Sequence, residues 1–482
     1  MKRLSALIVS TGAVCWALSA LSAMAQTKDV SKGSVINLSV HPAAAPQPAL
    51  KYRLLPGFID QMPGNAAPLY MKACLMLAEA KVDKADWYKV PQWLTLPVDK
   101  LPHDEVRKML DRFSGVLHQV ELASRRSECD WGLPLRDEPN VFAMPLPEVQ
   151  WARNAAQLLA LRARLAIAEH QYDAAIHTLG IGYALARHVA AAPLLVSGLV
   201  GMAISGIMNT QLESFAQEAT GPNLYWAITG LGDPFLSMES AFEMEEAMVY
   251  LVFPELRDVE TTDRTPDEWQ AAVKRVVERI RSLTAGDAPQ STTDALLTVA
   301  GLVVAVPRAK KDLVARGRSE KEVDAMPSGK VLLLNIVETY INSRDATFKW
   351  RYVPYAEGKE GLRGAERKLQ DSEMPGDLTS IFFRALPRLL LPAVSKVCFA
   401  EAKAQRQLAA LRCVEALRMY AAAHDGRLPL SLSAITEVPI PVNPVTGKPF
   451  PYRVEGDVAV LVADNPGESI ADQKEYRIRI VK

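Results

Sequence analysis

Val189–Leu212 reads VAAAPLLVSGLVGMAISGIMNTQL, 24 consecutive residues without a charge, which is long enough to cross a bilayer as one helix. Two readings compete for it: a membrane span, or the central helix of a water-soluble core. Pro193, Asn209, Thr210 and Gln211 dilute its hydrophobicity, and belts of aromatic or basic residues do not stand at both ends. Ser197, Gly201 and Ser205 recur every fourth residue, a stripe of small side chains against which a second helix can lie closely in lipid or in protein. The sequence therefore predicts a buried helix, and membrane association through residues 189–212 is the less favoured reading. Ala295–Pro307 is also uncharged, but its thirteen residues are too few to span.

Around this stretch the 482-residue chain has an ordinary globular composition, 49 % hydrophobic and 23 % charged, which excludes a disordered chain or a disulfide-dominated miniprotein. Lys2 and Arg3 precede an apolar run from Leu4 to Leu21, and Ala23-Met24-Ala25 supplies the small-x-small pattern that a signal peptidase accepts. Residues 1–25 read as a cleaved signal, and the mature protein as secreted to the periplasm or beyond the cell. Lys plus Arg equals Asp plus Glu at 55 each, and the signal holds two of the bases and no acid, so the mature chain carries 53 − 55 = −2. Such a balance gives no basic field for nucleic acid. Four cysteines remain after the signal. Cys398 and Cys413 fall on one expected helix, roughly 22 Å apart, beyond disulfide reach. Cys74 and Cys129 flank the first helical hairpin and are open to two readings, a bridge or two free thiols. No spacing matches a zinc site.

Residues 26–50 end in His41-Pro42-Ala43-Ala44-Ala45-Pro46-Gln47-Pro48 and read as a proline-stiffened linker without a core of its own. Helical periodicity then predicts helices through Leu69–Ala78 and Asp104–Leu122, with an ordered loop packed by Trp87, Tyr88 and Trp93 between them. A hairpin follows over Glu148–Arg187, turning near His170-Gln171. Further helices are expected at Met238–Val252, Pro266–Leu283, Thr293–Arg316 (kinked or broken at Pro307), Lys330–Arg344 and Pro392–His424, the last stopped by Asp425-Gly426. Short apolar runs at Pro451–Val454, Val458–Val462 and Tyr476–Val481 read as strands. The expected architecture is mainly α: a helical, hairpin-based, repeat-like region over 51–390, then a long helix and small antiparallel sheet over 391–482, a C-terminal α+β module.

Three resemblances attach to particular residues. Small Ala163 and Ala166, then Tyr172, Ala175, Leu179 and Gly182 at close-packing positions, make the Glu148–Arg187 hairpin resemble one tetratricopeptide-type repeat, over about 40 residues and without a second copy. The helix ending Tyr420-Ala421-Ala422-Ala423-His424-Asp425-Gly426, with Asn443-Pro444-Val445-Thr446-Gly447-Lys448-Pro449-Phe450 beyond it, resembles the globular end of type II secretion pseudopilins. That resemblance implies a helix on a small sheet, and it implies oxygens for calcium from Asp457, Asp464 and Asp472, which otherwise read as turn carboxylates. A cleavable signal replaces the prepilin leader, so pilus assembly is not implied. Pro48-Ala49-Leu50-Lys51-Tyr52-Arg53-Leu54-Leu55-Pro56, Asn65–Tyr70, Cys129-Asp130-Trp131-Gly132-Leu133-Pro134 and Gly447–Phe450 together resemble a planctomycete-type family of exported helical proteins. This implies a location and an architecture, and no activity.

Chemistry-bearing constellations are sparse. Glu239, Glu243 and Glu246 share one helical face, an arrangement suited to an acid/base pair but lacking a Glu-x-x-His partner, and are expected to meet solvent or arginines such as Arg257. His170, His177 and His188 cluster around the hairpin with Asp173, without a nucleophile elbow. Arg125-Arg126 and Lys310-Lys311 read as solvated helix ends, and Met238, Met244 and Met248 as packing. No catalytic, cofactor-binding or metal-ligating residue is assigned, and no cofactor is expected. The leading function is an exported scaffold or protein- or peptide-binding protein of the cell envelope. The alternative is an envelope hydrolase with a carboxylate site near Glu239 and Glu243.

Overall fold

The computed structural model describes residues 34–80, 84–135, 147–285, 292–371, 386–387, 391, 393–464 and 472–481; the expected signal at 1–25 lies outside them. Along the chain run β1 (Ser34–Val40), β2 (Met62–Asn65), α1 (Ala67–Glu79), α2 (His103–Arg112), α3 (Ser114–Ser124), β3 (Arg126–Glu128), α4 (Pro147–Ala168), α5 (Tyr172–Ala190) and α6 (Leu195–Phe215). Then come α7 (Glu239–Val252), α8 (Pro266–Ala285), α9 (Thr292–Ala315), α10 (Ser328–Phe348), α11 (Tyr355–Asp371) and α12 (Ala393–Ala423). Strands β4 (Tyr452–Glu455), β5 (Val458–Ala463) and β6 (Lys474–Ile480) close the chain. The fold is mainly α with a small C-terminal α+β module. Its described residues divide into two compact units, the larger within 34–133, 147–242 and 399–481, the smaller within 134–135 and 243–398. Helices of the 51–390 region fall in both units; helical periodicity shows which face of a helix is apolar but not which helices it joins.

The larger unit is built on α4, α5 and α6, which pack on one another. Leu158, Leu159, Leu161, Ile167, Ile176 and Leu179 are buried along the hairpin, each worth about 1.5–3 kcal/mol of removal from water. The hairpin turns at His170, which takes φ 55°, while Gln171 N–H donates to the Ala166 carbonyl, the bond that closes a helix through a left-handed residue. Of the uncharged stretch, Val189 and Ala190 end α5 and residues 195–212 lie in α6, and 72 % of the most apolar window of α6 is covered by neighbouring protein. Its small residues explain how: a Cβ on Gly201 would stand 2.7 Å from the Ala186 carbonyl oxygen, so α5 and α6 touch at backbone distance. Several polar groups of α6 are paired inside the protein, while Ser205 Oγ and Asn209 Nδ2 are buried without a hydrogen-bond partner among the described residues. Asn209 accepts from the Tyr183 hydroxyl at 2.6 Å, and Gln211 and Ser214 accept from Arg164 at 3.0 and 3.1 Å.

The C-terminal sheet has the order β1-β6-β5-β4. Strands β4, β5 and β6 are antiparallel neighbours as expected, but β1 joins β6 in parallel, with Ser34 beside Lys474 and Val40 beside Ile480. The sheet is thus mixed, and over the described residues 34–50 the reading of a linker without a core is corrected. Leu38 and Val40 lie in one cluster with Val414, Leu417, Leu461, Tyr476 and Ile478. The alternation Ile36, Leu38, Val40 is a strand signal at period 2, and the prolines begin only after it. The proline segment is itself fastened: Arg418 donates to the His41 carbonyl at 3.0 Å, and Ala43 N–H donates to the Arg418 carbonyl at 3.1 Å. Helix α12 ends at Asp425 and Gly426, φ 51° and 76°, with Gly426 N–H donating to Ala421.

In the smaller unit α10 packs on α8, α9 and α11. Trp269 is buried against Gly329, where a Cβ would come within 2.8 Å of the tryptophan, and Arg264 lies over its ring. Helix α9 runs through Pro307 as one element.

Candidate functional site

A pocket of about 570 Å³ opens in the larger unit. Its walls come from four separate stretches: Leu50–Pro56 with Gln61, the α3–β3 junction at Ser124–Cys129, the last turns of α5 with Arg187 and His188, and Trp226–Gly230. Gly180 lets the first wall approach α5, because a Cβ there would stand 3.3 Å from the Leu54 carbonyl oxygen. Leu54 is buried, whereas Leu50 at 60 %, Phe58 at 91 % and Ile59 at 96 % remain exposed on and beside that wall.

The pocket's back is a closed aromatic cluster. Tyr70 stacks on Trp131 at 5.7 Å between centroids and tilts against Trp151. The Tyr70 hydroxyl lies 2.9 Å from His188 Nδ1, Trp131 Nε1 donates to the His188 carbonyl at 2.9 Å, and the His188 ring also bonds to the Arg126 backbone. Burial pushes His188 down to about 4, aided by the adjacent Arg187 charge, so the imidazole is neutral at physiological pH. Cys129 also lines the pocket, and burial, with Asp130 nearby, pushes its thiol up to about 12. A thiol held protonated beside an imidazole already committed to two partners is not an activated nucleophile.

The front of the pocket is cationic. Arg53, Arg126 and Arg187 line it, and no acidic residue is among the described lining residues. Arg126 is anchored by one donor, Nη1 to the Pro63 carbonyl at 2.7 Å, while its buried Nε has no hydrogen-bond partner among the described residues. Among the same residues no side chain forms an ion pair with any of the three guanidiniums. Asp60 stands on the adjoining turn, and Asp130 is engaged by Gly132 N–H at 2.9 Å.

The residues singled out in the sequence do not converge. Glu239 and Glu243 are exposed on α7, and Glu246 pairs with Arg351 at 3.2 Å rather than with Arg257. Their neighbour Glu245 is the enclosed one, raised to about 7 by burial. His170 bonds to Tyr172 and Glu218, and His177 to Glu121 at 3.1 Å, so only His188 reaches the pocket. Asp457 pairs with Arg479 at 2.9 Å, Asp464 accepts from Asn443 at 2.8 Å, and Asp472 pairs with Lys403. Among the described residues no group of three His, Cys, Asp or Glu side chains is placed to hold a metal ion. No disulfide joins Cys74 to Cys129 or Cys398 to Cys413.

Comparison with protein-family models, with curated proteins and with solved structures returned no match. The pocket cations escaped sequence reasoning because they have no common spacing. Arg126, read as half of a solvated basic pair, is a correction: Arg125 pairs with Glu121 at 3.2 Å near the surface, while Arg126 enters β3 and turns its Nε inward. One signal was present, since Pro48–Pro56 and Cys129–Pro134, two stretches carrying the resemblance to exported helical proteins, both contribute to the pocket or the cluster behind it.

Proposed function

We propose that the chain is an exported, non-enzymatic binding protein of the cell envelope that holds a segment of a protein or peptide partner in the Arg53–Arg126–Arg187 pocket. The observation that carries this reading is the pocket's make-up: an open cavity with apolar and aromatic walls, arginines without an ion pair among the described residues, and exposed Phe58 and Ile59 beside it. Large exposed apolar side chains next to a concave site are the usual anchors of recognition. The export signal at residues 1–25 supports the envelope location. The hydrolase alternative draws no support from Glu239 and Glu243, which face solvent.

A photo-crosslinking residue at position 58 of the full chain, expressed in its own envelope, tests the proposal. A discrete crosslinked protein species that disappears in the Trp226→Ala variant is the expected result. Turnover in a hydrolase screen that falls in Glu239→Gln and Glu243→Gln variants would replace this reading with the enzymatic one.

A further inference from the structure

Building on the binding reading above, we infer that the pocket recognises the free C-terminal carboxylate of its peptide partner. Three arginines line one cavity, and no carboxylate is among its described lining residues. A guanidinium at a cavity wall offers paired donors matched to a carboxylate. The cavity, about 570 Å³, is of the size that encloses a small ligand or a chain end rather than a folded surface. Tyr52, Leu54, Leu55 and Trp226 supply apolar wall for the last side chain. An anionic bilayer fits less well: the exposed Phe58-Ile59 tip is followed by Asp60, a carboxylate where a lipid headgroup would need a base.

The test uses the mature chain, immobilised, and two N-acetylated random hexapeptide pools that differ only in ending as free acids or as amides. The free-acid pool is expected to be retained at least ~10-fold better, and Arg53→Gln with Arg187→Gln to bring it down to the amide level. Both side chains lie at the surface of the pocket, so circular dichroism and the melting temperature of these variants stay unchanged; the single Arg53→Gln variant gives the same answer should the double variant misfold. Equal retention of the two pools overturns the carboxylate inference and leaves peptide binding standing. Retention of neither pool overturns both. Binding of inorganic phosphate alone, or of phosphatidylglycerol vesicles alone, also overturns the inference, by assigning the cations to phosphate or to a membrane.

Discussion

Arginines in the larger unit are used in two opposite ways. Arg418 is fully buried and every side of its guanidinium is occupied: Glu415 takes Nη1 through both oxygens at 3.0 Å, the His41 carbonyl takes Nε, and the Gly221 carbonyl takes Nη2 at 2.8 Å. Glu415 in turn accepts from Leu224 N–H at 3.0 Å, and Asn223 bonds to the Glu415 and Ala43 carbonyls. This knot ties the proline segment and the 221–224 loop to α12. Arg53, Arg126 and Arg187 share the same chemistry and have no such shell. The contrast teaches that a saturated guanidinium holds the fold together, whereas unsaturated ones facing a cavity leave their donors to something that enters it.

The largest expected effect lies on the saturated side. Arg418→Met leaves Glu415 buried without its counter-charge, and should cost about 3–5 kcal/mol in urea unfolding. A loss under about 1 kcal/mol would mean that the knot is not enclosed and would dissolve the contrast. On the same side, Gly201→Ala forces a Cβ onto the Ala186 carbonyl and is expected to cost up to about 3 kcal/mol, measured in the same way.

His188, at the back of the pocket, gives a pH signature. Its folded value near 4 lies below the ordinary 6.5, so between these two values the unfolded chain binds more protons there. Its contribution to stability therefore grows as pH rises through that window and is lost as pH falls through it. Glu245 and Glu401, raised to about 7 by burial, slope the other way above 4.5, so the difference between wild type and His188→Gln isolates the imidazole. From pH 7 to pH 4.5 the wild type should lose about 2 kcal/mol more than the variant. Parallel curves would place the ring in water and open the pocket's back. The smallest effect belongs to the open side: Arg53→Gln and Arg187→Gln should each change stability by no more than about 0.5 kcal/mol. A larger loss in chemical denaturation would make these arginines structural, like Arg418.

What the sequence disclosed and what it hid divide along the same line. The burial of α6 was legible because an uncharged helix with a glycine every few residues asks for covered, close contact, and the ends at His170-Gln171 and Asp425-Gly426 were legible because helix closure is local. β1 was hidden by the prolines that follow it from Pro42 on, and by a partner, β6, that lies more than four hundred residues away. The pocket was hidden for the same reason, since Arg53, Arg126, Arg187 and Trp226 come from four stretches joined only by tertiary packing. The i, i+4, i+7 spacing of Glu239, Glu243 and Glu246 correctly put them on one face, but spacing is silent about whether a face meets solvent, an arginine or a cavity. Arg126 shows the converse: its basic neighbour made it look like a surface pair, and only the turn into β3 separates the two side chains.

Hydrogen–deuterium exchange of the chain from residue 26 onward, with and without the free-acid hexapeptide pool, puts the central claim to its most direct trial. Slowed exchange confined to Leu50–Gln61, Ser124–Cys129 and Trp226–Gly230, with β1 and the Gly221–Leu224 loop unchanged, is the result expected of an open cationic pocket beside a sealed knot. Unchanged exchange at those three stretches, or protection centred on Glu239–Val252, would contradict it.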